Sequence, residues 1–280
     1  MSALSPALRS TRVALLIVGL ALLLWPLAYA VWLSFAPGEL LEPPTGEWSL
    51  RWYQAFFTSR RWTDGLFNSF IVATMSALFA ALLGTGLAVG MAGGFGGASG
   101  SRAAMLGRFV LLPLFIPPVV LGMALLPVMR AIGLWGSLLS LAIAHSLLGL
   151  PVVYVVVRDA LAAMDGNLAF AARGLGASRW LTLRRVTLPP LIPAILFGAL
   201  TAFVFSMNEF SIALFLATPA IETLPKVIWP QLRYTLTPLV AAASTLAVLS
   251  AVVLLVLALL LRRWAATRGS AVLATPVDRL

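Results

Sequence analysis

The chain has 280 residues, no cysteine, one histidine and few charges, with only 10% of residues ionic. The missing thiols exclude disulfides, thiolate metal sites and cysteine nucleophiles, and they leave the redox compartment open. The single imidazole, His145 in "LAIAHSLLGLP", has no acidic or cysteine neighbour in the chain with which to hold a metal. It reads as a packed neutral ring bonded to a carbonyl or hydroxyl, and no metal site is expected. The shortage of charge excludes an ordinary soluble domain, which carries about 25% charged residues. There is also no Gly-Lys-Ser/Thr phosphate loop. The run "GGFGGASGSR" is rich in glycine, but no strand precedes it, so it reads as a flexible connector. Acids are the scarcer charge, nine against nineteen Lys and Arg, for a net +10. In a soluble protein that balance would suggest nucleic acid. In a chain that is 61% hydrophobic it points to membrane topology and anionic lipid, with no nucleic-acid partner.

What is present is a series of long apolar runs, each near the roughly 20 residues that a helix needs to cross a bilayer. Six are expected, at about 13–35, 66–93, 109–128, 135–157, 190–217 and 238–261. The first follows Arg9 and Arg12 and could be mistaken for a signal peptide, but it runs on past Ala28-Tyr29-Ala30 and reads as an uncleaved anchor. With six spans both ends share a side. That side holds thirteen of the nineteen basic residues, including Arg9, Arg102, Arg108, Arg158, Arg173, Arg184 and Arg262, and is therefore cytoplasmic. Glu39, Glu42, Glu47, Asp64 and Glu222 fall on the other side. The expectation is an all-α integral membrane protein forming one transmembrane domain over 1–280, with six helices and both termini in the cytoplasm.

Four features stand out along the chain. Residues 36–65 form the one sizeable outer loop, its second half a short interfacial helix with Trp48, Trp52, Tyr53 and Trp62 at headgroup depth, either as an aromatic belt or in contact with a solute. The second span is lined with small residues, Ser69, Ala73, Ser76, Ala80, Gly84, Gly86 and Gly90, which allow close helix approach in lipid. Pro113, Pro117, Pro118 and Pro127 bend the third span, either as a static kink or as a helix lining a path. Glu209 is the only acid inside a span. It either lines a path or pins neighbouring structure by a hydrogen bond. A translocation path is expected near Asn208, Glu209, Pro117 and Pro118.

Hydrophobicity breaks between Arg158 and Pro190. In "DGNLAFAARGLGASRWLTLRRVTLPP", Asn167 can cap a short helix over Leu168–Leu175, and Gly176 is placed as a left-handed stop. Ser178 can cap a second helix to Leu188, which Pro189 and Pro190 end before span five. Trp180, Leu181, Leu183, Val186 and Leu188 spread round that second helix with Arg179, Arg184 and Arg185 between them, so it needs cover on two sides. Ala169, Ala171 and Ala172 give the first helix a smooth patch. The cover is either another protein or a surface of anionic headgroups.

This segment resembles the signature loop of ABC importer permeases, the EAA loop: Glu-Ala-Ala, three residues, Gly, nine residues, Ile, one residue, Leu-Pro. Here Phe170-Ala171-Ala172, Gly176, Val186 and Leu188-Pro189 meet the spacing in full, with Phe170 where the family has glutamate. "RWYQAFF", "LLPLFIPPVVLGMALL" and "FSMNEFSIALFLATPAIETLPKVIWPQLR" are similar to the polyamine (spermidine/putrescine) branch, second-permease-subunit type. The resemblance implies a type I importer permease fold in a bacterial inner (plasma) membrane, multi-pass. It implies a subunit that is not itself an enzyme. Its partners would be two ATPase subunits that bind the ATP, a second permease or a copy of itself, and an external solute-binding protein. It implies no cofactor in this chain. The docking and coupling residues would be Ala171, Ala172, Gly176, Ala177, Arg184, Arg185, Leu188 and Pro189. In that account the alanines allow close approach to an ATPase groove and Gly176 allows the turn. Leu188 and Pro189 would pass the push to span five, and Arg184 and Arg185 would meet ATPase acids or lipid phosphates. The competing classes are a self-contained secondary transporter or channel, and a non-transporting membrane scaffold. The solute is left open.

Overall fold

A backbone in lipid has no water to bond to, so each segment must satisfy its own amides and carbonyls, and helices are the result. The structure, a computed structural model, describes residues 6–92 and 101–273. Among these all regular elements are helical, apart from an isolated bridge between Thr218 and Ile221. The glycine-rich connector over 93–100 lies outside the described residues. By contacts the chain divides into two units, Met1–Thr63 with Ile228–Val252, and Asp64–Val227 with Val253–Leu280.

In the first unit, α1 (Pro6–Leu33) presents nearly all its apolar side chains outward, from Val13 to Trp32. The loop that follows packs its aromatic residues on itself. In α2 (Arg51–Thr58), Trp52 and Phe56 stand one turn apart on the inner face and are buried. Trp52 Nε1 donates to the carbonyls of Ala36 (3.0 Å) and Gly38 (3.2 Å), and the Tyr53 hydroxyl meets Ser34 Oγ at 2.7 Å. Trp62 is buried against Phe56, with ring centroids 5.8 Å apart. Of the expected belt only Trp48 is well exposed. Once the indole N–H found carbonyl partners inside the loop, burial cost it nothing in hydrogen bonds, and inward packing won.

The second unit begins within α3 (Arg60–Met91). Ser69, Ala73, Ser76, Ala80 and Gly84 are buried along one stripe, as expected. Gly86 and Gly90 are not part of it and have nothing within 4 Å of a Cβ. Two residues beyond Gly84 is about 200° round a helix, so Gly86 had to leave the stripe. The expected third span is broken. α4 (Ser101–Leu111) tightens into a 3₁₀ turn at Leu112–Phe115, Ile116 is extended, and α5 (Pro118–Ala131) leaves at 103°. The cause is local: each proline forces the residue before it out of the helical region, first Ile116 and then Pro117 (φ −55°, ψ 133°).

α6 (Leu138–Ala162) starts at Ser137, whose Oγ accepts the Ser140 amide at 3.1 Å. α7 (Gly166–Gly174) and α8 (Arg179–Thr182) form the short pair outside the apolar runs. α8 does not stop at the double proline. A π-helical turn at Leu183–Thr187 carries it into α9 (Leu188–Asn208), so one helix runs from Arg179 to Asn208. The wide turn, closed by the Leu188 amide on the Leu183 carbonyl, accommodates prolines that donate no amide, and Pro189 and Pro190 sit in the first turn of α9. The fifth run also ends early: the chain breaks at Glu209 and resumes as α10 (Ser211–Leu216). Asn68 Nδ2 donates to the Glu222 carbonyl (3.0 Å) and the Leu224 amide donates to Ser69 Oγ (2.8 Å), pinning the loop after α10 to α3. α11 (Leu224–Tyr234) and the 36-residue α12 (Pro238–Leu273) complete the chain.

The core of this unit is the α6–α9 pair with α3 beside it. A Cβ on Gly149 would lie 2.5 Å from Ala202 Cβ and 3.3 Å from Ala80 Cβ, and one on Gly198 would lie 3.0 Å from the Val153 Cα. Glycine is what lets three helices meet this closely where lipid supplies no hydrophobic drive. Four helices among the described residues are long and apolar enough to span a membrane, or five if the bent α4–α5 pair is one span.

Candidate coupling surface and pathway helices

The α7–α8 pair is built by its caps. Asp165, not Asn167, opens α7: its Oδ1 accepts the Asn167 amide at 2.9 Å. Both residue types suit a cap, and here the Asp165 carboxylate takes the position. α7 ends in a closed Schellman arrangement, in which Gly176 N–H donates to the Arg173 carbonyl (3.0 Å) and Ala177 N–H to the Ala172 carbonyl (3.1 Å). Gly176 has φ +89°, the left-handed stop the sequence suggests. Nothing lies within 4 Å of where its Cβ would be, so conformation and not space demands glycine there. Ser178 then caps α8, its Oγ accepting the Leu181 amide at 3.3 Å. The Thr182 hydroxyl donates to the Ser178 carbonyl at 3.0 Å and is buried beneath the turn.

The eight expected coupling residues therefore fall on one helix–turn–helix and its continuation into α9. Ala171, Gly176, Arg184, Arg185 and Pro189 are exposed, while Ala172, Ala177 and Leu188 are half-buried. Around them stand large apolar side chains in the open: Leu175 is 90% exposed, Trp180 67% and Phe170 64%. The Arg173 guanidinium lies 5.4 Å over the Phe170 ring. Leu175 was not singled out in the sequence, because as the last residue before the glycine stop its outward aim follows from the cap geometry.

The four expected pathway residues mark two helix breaks. Pro117 and Pro118 sit at the corner between the α4 arm and α5. Asn208 and Glu209 sit at the end of α9, but they face differently. Asn208 is exposed and its Nδ2 bonds back to the Val204 carbonyl at 2.8 Å, whereas Glu209 is 8% exposed. Glu209 Oε1 accepts the Ile212 amide at 2.6 Å, so from the residue before the N-cap Phe210 it satisfies a first-turn amide of α10 and does not lie inside a continuous span. A carboxylate there satisfies an orphan helix amide and complements the helix dipole. The two breaks are joined by packing, since α10 lies on α5 one turn beyond Pro118. There a Cβ on Gly122 would come 3.0 Å from Ile212 Cα and 2.9 Å from Phe215 Cδ2. His145 is buried on α6 with Nδ1 2.8 Å from Ser206 Oγ on α9, the hydroxyl partner anticipated for it.

Set beside known proteins, the sequence matches the family described as binding-protein-dependent transport system inner membrane component over residues 84–266. It is 32% identical over 249 residues to the putrescine transport system permease protein PotI of Escherichia coli, covering 86% of this chain and 87% of that protein. It is 28% identical over 215 residues to the spermidine/putrescine transport system permease protein PotC of Haemophilus influenzae, covering 77% and 82%. Its fold resembles that of a bacterial ABC transporter involved in the import of the acidic polysaccharide alginate, with a TM-score of 0.73 and 17% identity over 91% of this chain and 95% of the other. An amino acid ABC transporter shares the fold at a TM-score of 0.55 and 17% identity, over 75% and 94%.

Proposed function

The chain belongs to the family of binding-protein-dependent transport system inner membrane components, and it is a permease subunit of an ATP-binding-cassette importer, not an enzyme. From that premise we propose that it crosses a bacterial inner membrane six times with both termini in the cytoplasm. α1, α3, the bent α4–α5 pair, α6, α9 and α12 are the six crossings, and 1–280 works as one permease domain. Two ATPase subunits bind the ATP, an external binding protein delivers the solute, and a second permease or a copy of this chain completes the path. The exposed apolar length of α1 suits lipid or that second permease.

One observation carries the coupling role: the helix–turn–helix 166–182 closes its own backbone hydrogen bonds yet leaves Phe170, Leu175 and Trp180 exposed. Ala171, Ala172, Gly176 and Ala177 let this surface approach an ATPase groove, and Arg184 and Arg185 meet acids or phosphates at its rim. Because α8, the π turn and α9 are one continuous helix, a push on α8 travels past Leu188 and Pro189 to the break at Asn208–Glu209. α10 passes it to α5 and to the corner at Pro117 and Pro118, which borders the path. The relatives named for putrescine and spermidine make a small polyamine-like cation the first solute to try.

The test is copurification and uptake. The tagged chain, expressed with its partner subunits, should bring the ATPases down. In proteoliposomes it should take up labelled putrescine or spermidine only with ATP and the binding protein. Uptake without ATP would turn the reading to a self-contained carrier. Insertion with neither copurifying ATPases nor uptake would leave a scaffold.

A further inference from the structure

Behind α7 lies an open cavity of about 810 Å³, lined by residues of α3, α4 and α6, by α7 itself and by the π-helical turn. That volume falls within the roughly 300–1,000 Å³ of ordinary ligand pockets. Its walls are largely apolar, with Met91, Leu111, Leu161 and Met164 among them. Three arginines share the lining, Arg108 from α4, Arg158 from α6 and Arg173 from α7, against one carboxylate, Asp165, which is engaged in capping α7. The lining thus carries two net positive charges, and one even when Asp159 is counted, which Arg158 holds at 2.7 Å. Among the described residues Arg108 has no ion-pair partner.

The cavity's aromatic residues hold the cations in place. Arg158 lies 5.8 Å over the ring of Tyr154 and Arg173 lies 5.4 Å over that of Phe170, and both rings also line the cavity. Phe170 stands where the coupling motif has an acid. The phenyl ring adds apolar wall at the cavity mouth where the motif would bring a carboxylate. A polyamine would be repelled here, so this is not a station for a cationic solute. An apolar chamber with a cationic rim suits a molecule that is anionic at one end and apolar at the other. Anionic lipid of the cytoplasmic leaflet has that chemistry, and basic pockets between helix ends on that side recognise its headgroups.

We propose that this cavity binds an anionic phospholipid, its phosphate against Arg108, Arg158 and Arg173 and an acyl chain along Leu111, Leu161 and Met164. Bound lipid then forms the seat behind α7 and sets how firmly the coupling surface is presented. The proposal rests on the cytoplasmic placement of α7, which is tested separately. In a chain with no other cysteine, Asn167→Cys should react with a membrane-impermeant thiol reagent in inverted vesicles and not in intact cells.

The lipid test uses the whole transporter in phosphatidylcholine nanodiscs, with and without phosphatidylglycerol. The readout is phosphatidylglycerol retained per complex, by native mass spectrometry. Arg108→Gln and Arg158→Gln should each weaken retention about five-fold, and together more. Arg130→Gln, at the far end of α5, should change nothing. Copurifying ATPase subunits report that each variant is folded. Equal retention by wild type and the double variant overturns the proposal. So does arginine-dependent binding of inorganic phosphate with no phosphatidylglycerol retained, which would make this a free-phosphate site.

Discussion

His145 on α6 and Ser206 on α9 meet at 2.8 Å in an interface whose closest approaches are made at Gly149 against Ala202 and at Gly198 against Val153. In lipid such a bond is worth about 0.6 kcal/mol on average and up to about 1.7, because the separated helices also find partners. Ser206→Ala should therefore lower thermal stability in detergent modestly. His145→Ala and Ser206→Ala should be less than additive in a double-mutant cycle. Strict additivity of the two would show that the imidazole and hydroxyl do not interact.

The same interface is set by close approach at Gly149, where an added methyl would sit 2.5 Å from Ala202 Cβ. Gly149→Ala should cost about 1–3 kcal/mol by overpacking. Ala202→Gly should restore much of it, since it removes the opposing methyl. Gly86→Ala on α3, with open space around it, should be neutral or stabilising by up to about 1 kcal/mol from helix propensity. If Gly149→Ala melted like Gly86→Ala, the packing account of the α3–α6–α9 core would be wrong.

Gly176 is required for its backbone, at φ +89°, on a turn with no neighbours to crowd. A side chain there strains the left-handed conformation by about 1–2 kcal/mol. Gly176→Asp also places an acid on the proposed coupling surface. The expected phenotype is specific: the subunit inserts at normal abundance, but uptake driven by ATP is lost. Quantitative membrane blots alongside uptake assays separate this from misfolding, and normal uptake would remove Gly176 from the coupling mechanism.

Much of this was legible in the sequence where a local rule decides the structure. The Ser178 cap, the Gly176 stop and the buried stripe from Ser69 to Gly84 depend on a few neighbouring residues, and the structure has all three. Others were not legible, and in three of them two local rules competed. Pro189 and Pro190 read as a helix end, but a π turn let the helix run through them. Pro117 and Pro118 read as a kink, but two prolines in series made a 103° corner. Trp52 and Trp62 read as lipid-facing because tryptophan favours the interface, yet carbonyls and rings within the loop offered better partners. The cavity behind α7 is invisible in the sequence, since Arg108, Arg158 and Arg173 come from three separate helices and nothing local announces their meeting.

Glu209 separates two uses of a carboxylate at membrane depth. As the acceptor for the Ile212 amide in the first turn of α10 it needs an oxygen more than a charge. Glu209→Gln keeps that oxygen, and should retain most uptake with an unchanged KM for the solute. Glu209→Ala leaves the amide unsatisfied, and should cost about 0.5–2 kcal/mol of stability and lower the uptake rate. A residue that recognised a cationic solute by its charge would behave differently, with Gln and Ala equally damaging and both raising KM. Uptake kinetics of the two variants at matched abundance therefore decide the matter. A raised KM in Glu209→Gln would move Glu209 from the scaffold of the path to its lining.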